Sequence, residues 1–315
     1  MIGEKFQICL TDDAVPFAVS TPRNVPYNYM SKLKLEIEQL LKDGVIMPVT
    51  EPTDWCSPIT VVPKTNDKIR MCVDLTKLNK YIRWERYPNV TPLSQVANIA
   101  KERAKFFTSV DAAKGFYQVE LDEDSQLLTT FITPFGRFKF LRAPFGISSI
   151  SEHYNRRMDE AMAGLDGYRK IVDDIVIYDD EFESHVQHVR SFLQRCRDQR
   201  ITLNEKKFVF GAESVTFAGL HLSKDGYHLD DNIVKAIKEF APPRSRTDLR
   251  SFLGLVNQLS SSSSAISAIT APLRPLLSAK HDFVWNDVHE DAFKKAKQAI
   301  TSSPVLDYYD PRRET

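Results

Sequence analysis

Apolar positions along the chain follow two periods, and the switches between them mark out the elements. Leu33, Ile37, Leu40 and Leu41 recur at helical spacing, which predicts a helix over 31–43 with Ser31 as its cap and Gly44 ending it. Pro22, Pro26, Pro48, Pro52, Pro58 and Pro63 punctuate an extended region around and after it. "ITVVPK" and "IRMCVDL" read as two strands of a hairpin turning at Thr65–Lys68. "KFFTSVDAAKGFYQVEL" begins as a strand and loses its alternation at Ala112–Gly115. "GRFKFL" is another strand and "EHYNRRMDEAM" a helix. "KIVDDIVIY" then sets Asp173 and Asp174 between two β-branched runs, the pattern of a hairpin with acids at its turn.

"SHVQHVRSFLQRC" predicts an amphipathic helix with Val186, Val189, Leu193 and Cys196 on one face. His185 and His188 share its surface at i, i+3 and read as surface or packing residues, because no third ligand type lies at a metal-binding spacing. After "VTFAGLHL", at about residue 222, strands give way to helices. "TDLRSFLGLVNQL" takes Thr247 as cap and Leu249, Phe252, Leu253 and Val256 as stripe; "DVHEDAFKKAKQAI" is similar, and Ser260–Ser264 between them reads as a flexible loop. The fold class is α+β, strand-rich first and helical afterwards, with no internal repeat.

Composition narrows the picture only locally. The 315 residues suffice for roughly two domains, and 42 basic residues balance 42 acidic ones. Between Lys64 and Arg86, however, Lys64, Lys68, Arg70, Lys77, Lys80, Arg83 and Arg86 face only Asp67, Asp74 and Glu85. Between Asp159 and His185 nine acids outnumber Arg169 and Lys170. One segment suits phosphates and the other cations, unless both are ordinary solvated faces. Cys9, Cys56, Cys72 and Cys196 show no C-x-x-C spacing, and no signal pattern or long apolar run is present. The expectation is a reduced intracellular protein, cytoplasmic (in particles or free) or nuclear, with no membrane partner.

The adjacent aspartates admit two readings. They can be turn residues of a hairpin that needs no function. They can also be metal ligands: joining a nucleotide to a 3′-hydroxyl uses two divalent ions about 3.5–4 Å apart, and Mg²⁺ takes hard oxygen ligands. Asp173 and Asp174 would supply two carboxylates, and Asp111, at the end of an apolar strand where the backbone turns, a third.

Further stretches decide between them. "WCSPITVVPK", "IRMCVDLTKLNK", "ERYPNVTP", "FTSVDAAKGFYQVELDEDS", "TTFITPFGRFKFLRAPFGISS", "IVDDIVIY", "LNEKKFVF", "FAGLHLSKDG" and "TDLRSFLGLVNQ" stand in this order, and together, from about Thr21 to Arg312, the chain resembles the reverse transcriptases of gypsy-type LTR retrotransposons, relatives of retroviral polymerases. The resemblance implies a right-hand polymerase: N-terminal segment and fingers over 1–92, palm over 93–117, fingers again over 118–146, palm with an antiparallel sheet over 147–222, helical thumb over 223–278, and over 279–315 a connection and the start of an RNase H-like segment. It implies that Asp111, Asp173 and Asp174 hold two Mg²⁺ ions. Lys64 and Arg70 would meet the β- and γ-phosphates of a deoxynucleotide, and the backbone near Lys114 and Gly115 its triphosphate. Phe116 would exclude a 2′-hydroxyl, while Phe145 and Gly146 line the pocket. Either Lys206 or Lys207 would protonate the leaving pyrophosphate. Phe217, Ala218 and Gly219 would grip the primer. The implied partners are an RNA or DNA template with primer, a deoxynucleotide, and other parts of a Pol polyprotein or a second subunit.

The chain departs from the pattern in four places. Ile171 replaces a usual tyrosine, Ile150 a usual small residue beside the pocket, and the serine run an aromatic and basic stretch. The resemblance also stops at "SSPVLDYYDP", before the first catalytic aspartate of RNase H, as in a piece of a larger polyprotein or a gene remnant. The leading expectation is an RNA-directed DNA polymerase, with a non-polymerising nucleic-acid-binding remnant as alternative and an unrelated metal-dependent hydrolase third.

Overall fold

The computed structural model describes residues 1–64, 68–84, 86–88, 90–100, 104–260, 264–278 and 282–301. In chain order the strands are β1 (Ile46–Pro48), β2 (Ser57–Pro63), β3 (Ile69–Val73), β4 (Phe106–Asp111), β5 (Phe131–Thr133), β6 (Gly136–Phe140), β7 (Tyr168–Ile171), β8 (Asp174–Asp179), β9 (Val209–Ala212), β10 (Ser214–Phe217), β11 (Leu220–Ser223) and β12 (Gly226–Leu229). The chain divides into two compact units: Met1–Asn89 with Ala112–Leu165 and Arg190–Asn204, and Val90–Asp111 with Asp166–Val189 and Glu205–Thr315.

In the first unit a five-stranded sheet runs in the order β1-β6-β5-β2-β3. The β2–β3 hairpin forms as the alternation predicts, with Val62 opposite Arg70; residues 65–67 of its turn lie outside the described residues. A first helix, Tyr27–Lys42, buries Leu33, Ile37 and Leu40 as expected. It begins a turn earlier than Ser31, however, with Pro26 at its N-cap. A proline loses nothing by standing where the N–H has no helical partner, so it starts the helix without a side-chain cap. Gly44, at φ +64°, ends it.

The second unit carries a four-stranded sheet, β7-β8-β4-β9, and a three-stranded meander, β10-β11-β12. Phe107, Val176, Tyr178, Phe217, Leu220 and Leu222 pack there with Val96 and Ile99 of the helix Pro92–Ala100 into one buried cluster. Strand β12 corrects the expectation that strands end near residue 222. The two-residue turn Lys224–Asp225 adds one more strand, whose "GYHL" is too short to show alternation. A second cluster, Leu249, Phe252, Leu253 and Val256 with Phe293, Ala296 and Ile300, joins the helices Arg246–Ser260 and Asp287–Thr301.

Three more local expectations change. On the helix Phe182–Asp198 the buried positions are His185, Val189, Phe192 and Cys196, while Leu193 is exposed. The stripe is thus turned by one position from Val186 and Leu193 to His185 and Phe192, since the His185 ring is inside. The helix Arg246–Ser260 is capped by Ser245, whose hydroxyl accepts from Asp248 N at 3.1 Å while the Asp248 carboxylate accepts from Arg244 N at 3.0 Å. Thr247 therefore lies in the first turn. Finally, Ser260 ends one helix and Ser264 begins the next, so the serine run is helical at both its ends; Ser261–Ser263, like "SSPVLDYYDP", lie outside the described residues.

Candidate active site

Asp111 ends β4 and Asp174 begins β8, and the two strands pair antiparallel from Phe106↔Asp179 to Asp111↔Asp174. Directly opposed residues of such a pair share a face of the sheet, their Cβ atoms about 4.5–5.5 Å apart. The two acids are thus cross-strand neighbours although 63 positions separate them in sequence. Ile171 pairs with Asp174 across the β7–β8 hairpin, which leaves Val172 and Asp173 as its two-residue turn. Val172 sits at φ +52°, a region that branched side chains avoid, so the turn is held in a strained form.

Lys207 closes the group. Its Nζ lies 2.8 Å from Asp111 Oδ1, and this hydrogen bond, with the charges of Asp174 and Asp173 added, raises the lysine above its ordinary pKa. Of the two candidate lysines, Lys207 is the one the structure shows bonded to Asp111; Lys206 stands beside it in the turn Glu205–Lys207. The Asp174 carboxyl is pushed up, first by the protein mass around it and then by the charge of Asp111. It also accepts a hydrogen bond from Ala218 N–H, which partly offsets that rise. That donor comes from the β10–β11 turn, where Ala218 and Gly219 both take positive φ, +48° and +83°. Phe217, one residue earlier, is buried in the core cluster, and Ala218 packs against it.

The donor set suits a hard divalent cation. Two like-charged carboxylates lie across neighbouring strands with a third at the adjoining turn, and the ammonium drawn to them marks the place where positive charge is stabilised. Among the described residues no group of three His, Cys, Asp or Glu side chains stands closely enough to hold a metal ion in this structure.

The other predicted residues belong to the first unit. Phe116 lies in the turn Gly115–Gln118, its ring 5.0 Å from Phe145 and 5.5 Å from Tyr154. Lys114 precedes it at φ +50°, with Nζ 3.5 Å from Asp43 Oδ2. Gly146, at φ +98°, is held by a residue the sequence reading did not single out: Asn79 donates to Gly146 O at 2.7 Å and accepts from Ser148 N at 3.0 Å. Its neighbours in "LNK" gave no sign of this brace, which links positions 67 and 69 residues apart. Lys64 and Arg70 are exposed on the β2–β3 hairpin. Ile150 is fully buried at the start of the helix Ile150–Ala161, and Ile171 packs on the second unit's core.

Comparison with known proteins agrees with this geometry. Residues 62–222 match the family model described as reverse transcriptase (RNA-dependent DNA polymerase). The chain is 32% identical over 292 residues to the retrovirus-related Pol polyprotein from transposon gypsy of Drosophila melanogaster, covering 86% of this chain and 28% of that protein. It is 29% identical over 314 residues to the transposon Tf2-3 polyprotein of Schizosaccharomyces pombe, covering 98% and 23%. The chain thus spans about a quarter of the length of these relatives. Among solved structures, the foamy viral protease-reverse transcriptase in complex with an RNA/DNA hybrid superposes with a TM-score of 0.81 at 22% identity, covering 96% of this chain and 41% of that one. The same protein with double-stranded DNA gives 0.77. Among the described residues no helix is long and apolar enough to cross a membrane. With the family model covering just over half of the sequence, the α+β polymerase fold shared with these structures, and the acids paired at one sheet end, the chain belongs to the reverse transcriptase (RNA-dependent DNA polymerase) family of nucleotidyltransferases.

Proposed function

We propose that this chain is the polymerase part of a retrotransposon Pol polyprotein and extends a primer 3′-hydroxyl on an RNA or DNA template. The observation that carries this reading is the register pair Asp111↔Asp174, with Asp173 at the adjoining turn and Lys207 drawn in among them. The family depends on divalent metal, and here Asp111, Asp173 and Asp174 would hold two Mg²⁺ ions. When bound, these ions supply charge neutralisation at the phosphates and a lowered pKa for the attacking hydroxyl.

The chain's own groups have distinct tasks. Asp111 and Asp174 present their carboxylates from directly paired positions of two strands, so the sheet register brings their backbones together before a metal arrives. Lys207, held protonated by the carboxylates, suits the general acid that protonates pyrophosphate as it leaves. Lys64 and Arg70 approach the β- and γ-phosphates, where the guanidinium can bind in bidentate fashion. The Phe116 ring, backed by Phe145 and Tyr154, limits the space at the sugar 2′ position, while Gly146 lets the backbone come close. The backbone of Phe217, Ala218 and Gly219 meets the primer. In this reading fingers span 1–92 and 118–146, palm 93–117 and 147–222, thumb 223–278, and a connection 279–315. The structures of the similar foamy viral protease-reverse transcriptase in complex with RNA/DNA hybrid and double-stranded DNA support such duplexes as partners. The burial of Ile150 supports activity over the remnant reading, since the large side chain is packed into the core.

Extension of oligo(dT) on poly(rA) with Mg²⁺ tests the proposal. Product with the wild-type chain and none with Asp173→Asn is the expected result. A chain that binds the duplex but extends nothing would be the remnant, and turnover without primer would mark a hydrolase.

A further inference from the structure

The second unit contains a buried polar chain that the reaction scheme does not use. Thr108 of β4, Asp179 at the end of β8, and His185 of the helix Phe182–Asp198 are all buried, and His185 and Thr108 are 0% exposed. Thr108 Oγ1 lies 2.7 Å from His185 Nε2, and His185 Nδ1 2.9 Å from Asp179 Oδ2. Gly211 N donates to Thr108 Oγ1 at 3.1 Å, which leaves the hydroxyl a second lone pair and its own proton for His185 Nε2, while Asp179 can only accept from His185 Nδ1–H when its carboxylate is ionised. His188 Nδ1 takes the other oxygen, Asp179 Oδ1, at 2.6 Å. Gly167 makes room for that ring, since a Cβ there would lie 2.7 Å from His188 Nδ1. A hydroxyl–imidazole–carboxylate series resembles a nucleophile's machinery, but sealed from solvent it reaches no substrate.

Its position in the sheet says what it does instead. Thr108 stands three residues before Asp111, and Asp179 five after Asp174, on the same ladder. Gly211 belongs to β9, where the pairing with β4 shifts register between Phe107 and Ser109. Its N–H, displaced from the ladder by the extra residue of that bulge, finds the Thr108 hydroxyl. One network thus pins β4, β8 and β9 together from the middle of β4 to the end of β8 away from Asp174, and β9 begins two residues after Lys207. A one-residue slip of either strand would turn its aspartate to the other face. We infer that Thr108, His185 and Asp179 are positioning residues that set the register at which Asp111 and Asp174 meet a divalent metal.

The inference rests on the reading of those aspartates as metal ligands, and the test separates the two. Thr108→Val keeps the shape and removes the hydroxyl; Thr108→Ser restores it; Asp179→Asn serves as a second variant should Thr108→Val fail to fold. Two quantities are measured on the full chain: amide hydrogen exchange along β4 and β8, and affinity for Mn²⁺ alone by electron paramagnetic resonance. Thr108→Val is expected to speed exchange and to weaken Mn²⁺ about 10-fold, the lower range for loss of an outer support of a metal site, with Thr108→Ser close to wild type. Unchanged exchange in both Thr108→Val and Asp179→Asn overturns the bracing itself. Faster exchange with unchanged Mn²⁺ affinity overturns its link to the site. Should wild type and Asp174→Asn bind Mn²⁺ equally, the ligand assignment fails, and with it the positioning role.

Discussion

The ammonium of Lys207 lies 2.8 Å from a carboxylate oxygen of Asp111, 96 residues earlier in the chain. Lys206 occupies the same short turn. If protonation of the leaving group comes from the lysine that the acids hold, Lys207→Ala will slow single-nucleotide incorporation about 100-fold, within the range for loss of a general acid. Lys206→Ala will stay within a few-fold. Rapid-quench measurement at saturating nucleotide distinguishes them, and equal losses in both variants would count against the assignment.

Asp174 contributes to stability with the opposite sign from most surface acids. Its folded pKa lies above the unfolded value, so above that range the ionised form opposes folding, and the penalty fades as pH falls and the group protonates. Asp174→Asn, which can still accept from Ala218 N–H, will therefore raise the melting temperature of the metal-free chain near neutral pH, by a small amount because the side chain is exposed and solvent screens its charge. The gain will shrink towards pH 4. The same variant will abolish extension, the opposition expected where a site is built for a charge it must borrow. Calorimetry at pH 7.5 and 4.5 gives the two values.

The features legible in the sequence were those written in adjacent residues. The β7–β8 hairpin follows from β-branched runs around two acids, and the stripe Leu249–Val256 from helical spacing; both formed as read. The choice between Lys206 and Lys207 was open because it depends on which residue of one turn points at β4. The Asn79 brace and the Asp179 cluster were invisible for a related reason: each joins elements whose approach is set by tertiary packing. For His185 the sequence leaves surface and packing both open, and the structure decides for packing, with both ring nitrogens satisfied inside.

Phe116 is packed edge-on against Tyr154 and tilted against Phe145. Trimming it to valine opens space where the proposal places the sugar. Incorporation of ribonucleotides relative to deoxynucleotides will rise about 10- to 100-fold, the span that a shape-based pocket can discriminate for a hydroxyl. The ratio of kcat/KM for rUTP and dTTP is the measurement. Equal ratios in wild type and Phe116→Val would leave the ring with a packing role alone.

His153, in the helix Ile150–Ala161, gives a pH limit to the first unit. The ring is 5% exposed and lies 4.8 Å from that of Phe6. Its Nδ1 accepts from Arg156 Nη2 at 3.3 Å, while Nε2 is buried without a hydrogen-bond partner. Burial first, and the charges of Arg156 and Arg157 next, push the histidine down from 6.5 to about 4. The unfolded chain therefore takes up a proton that the folded chain refuses. Stability will be fully present above about pH 6.5 and will fall as pH drops towards 4, by at most about 3 kcal/mol over that interval. In a Trp285→Phe background, Trp55 and Trp84 report on this unit alone. Urea midpoints followed by their fluorescence should drop between pH 7 and 5 in the parent and much less in His153→Phe, which keeps a ring against Phe6 and carries no proton to exclude. A drop of equal size in both would assign the acid sensitivity to other groups.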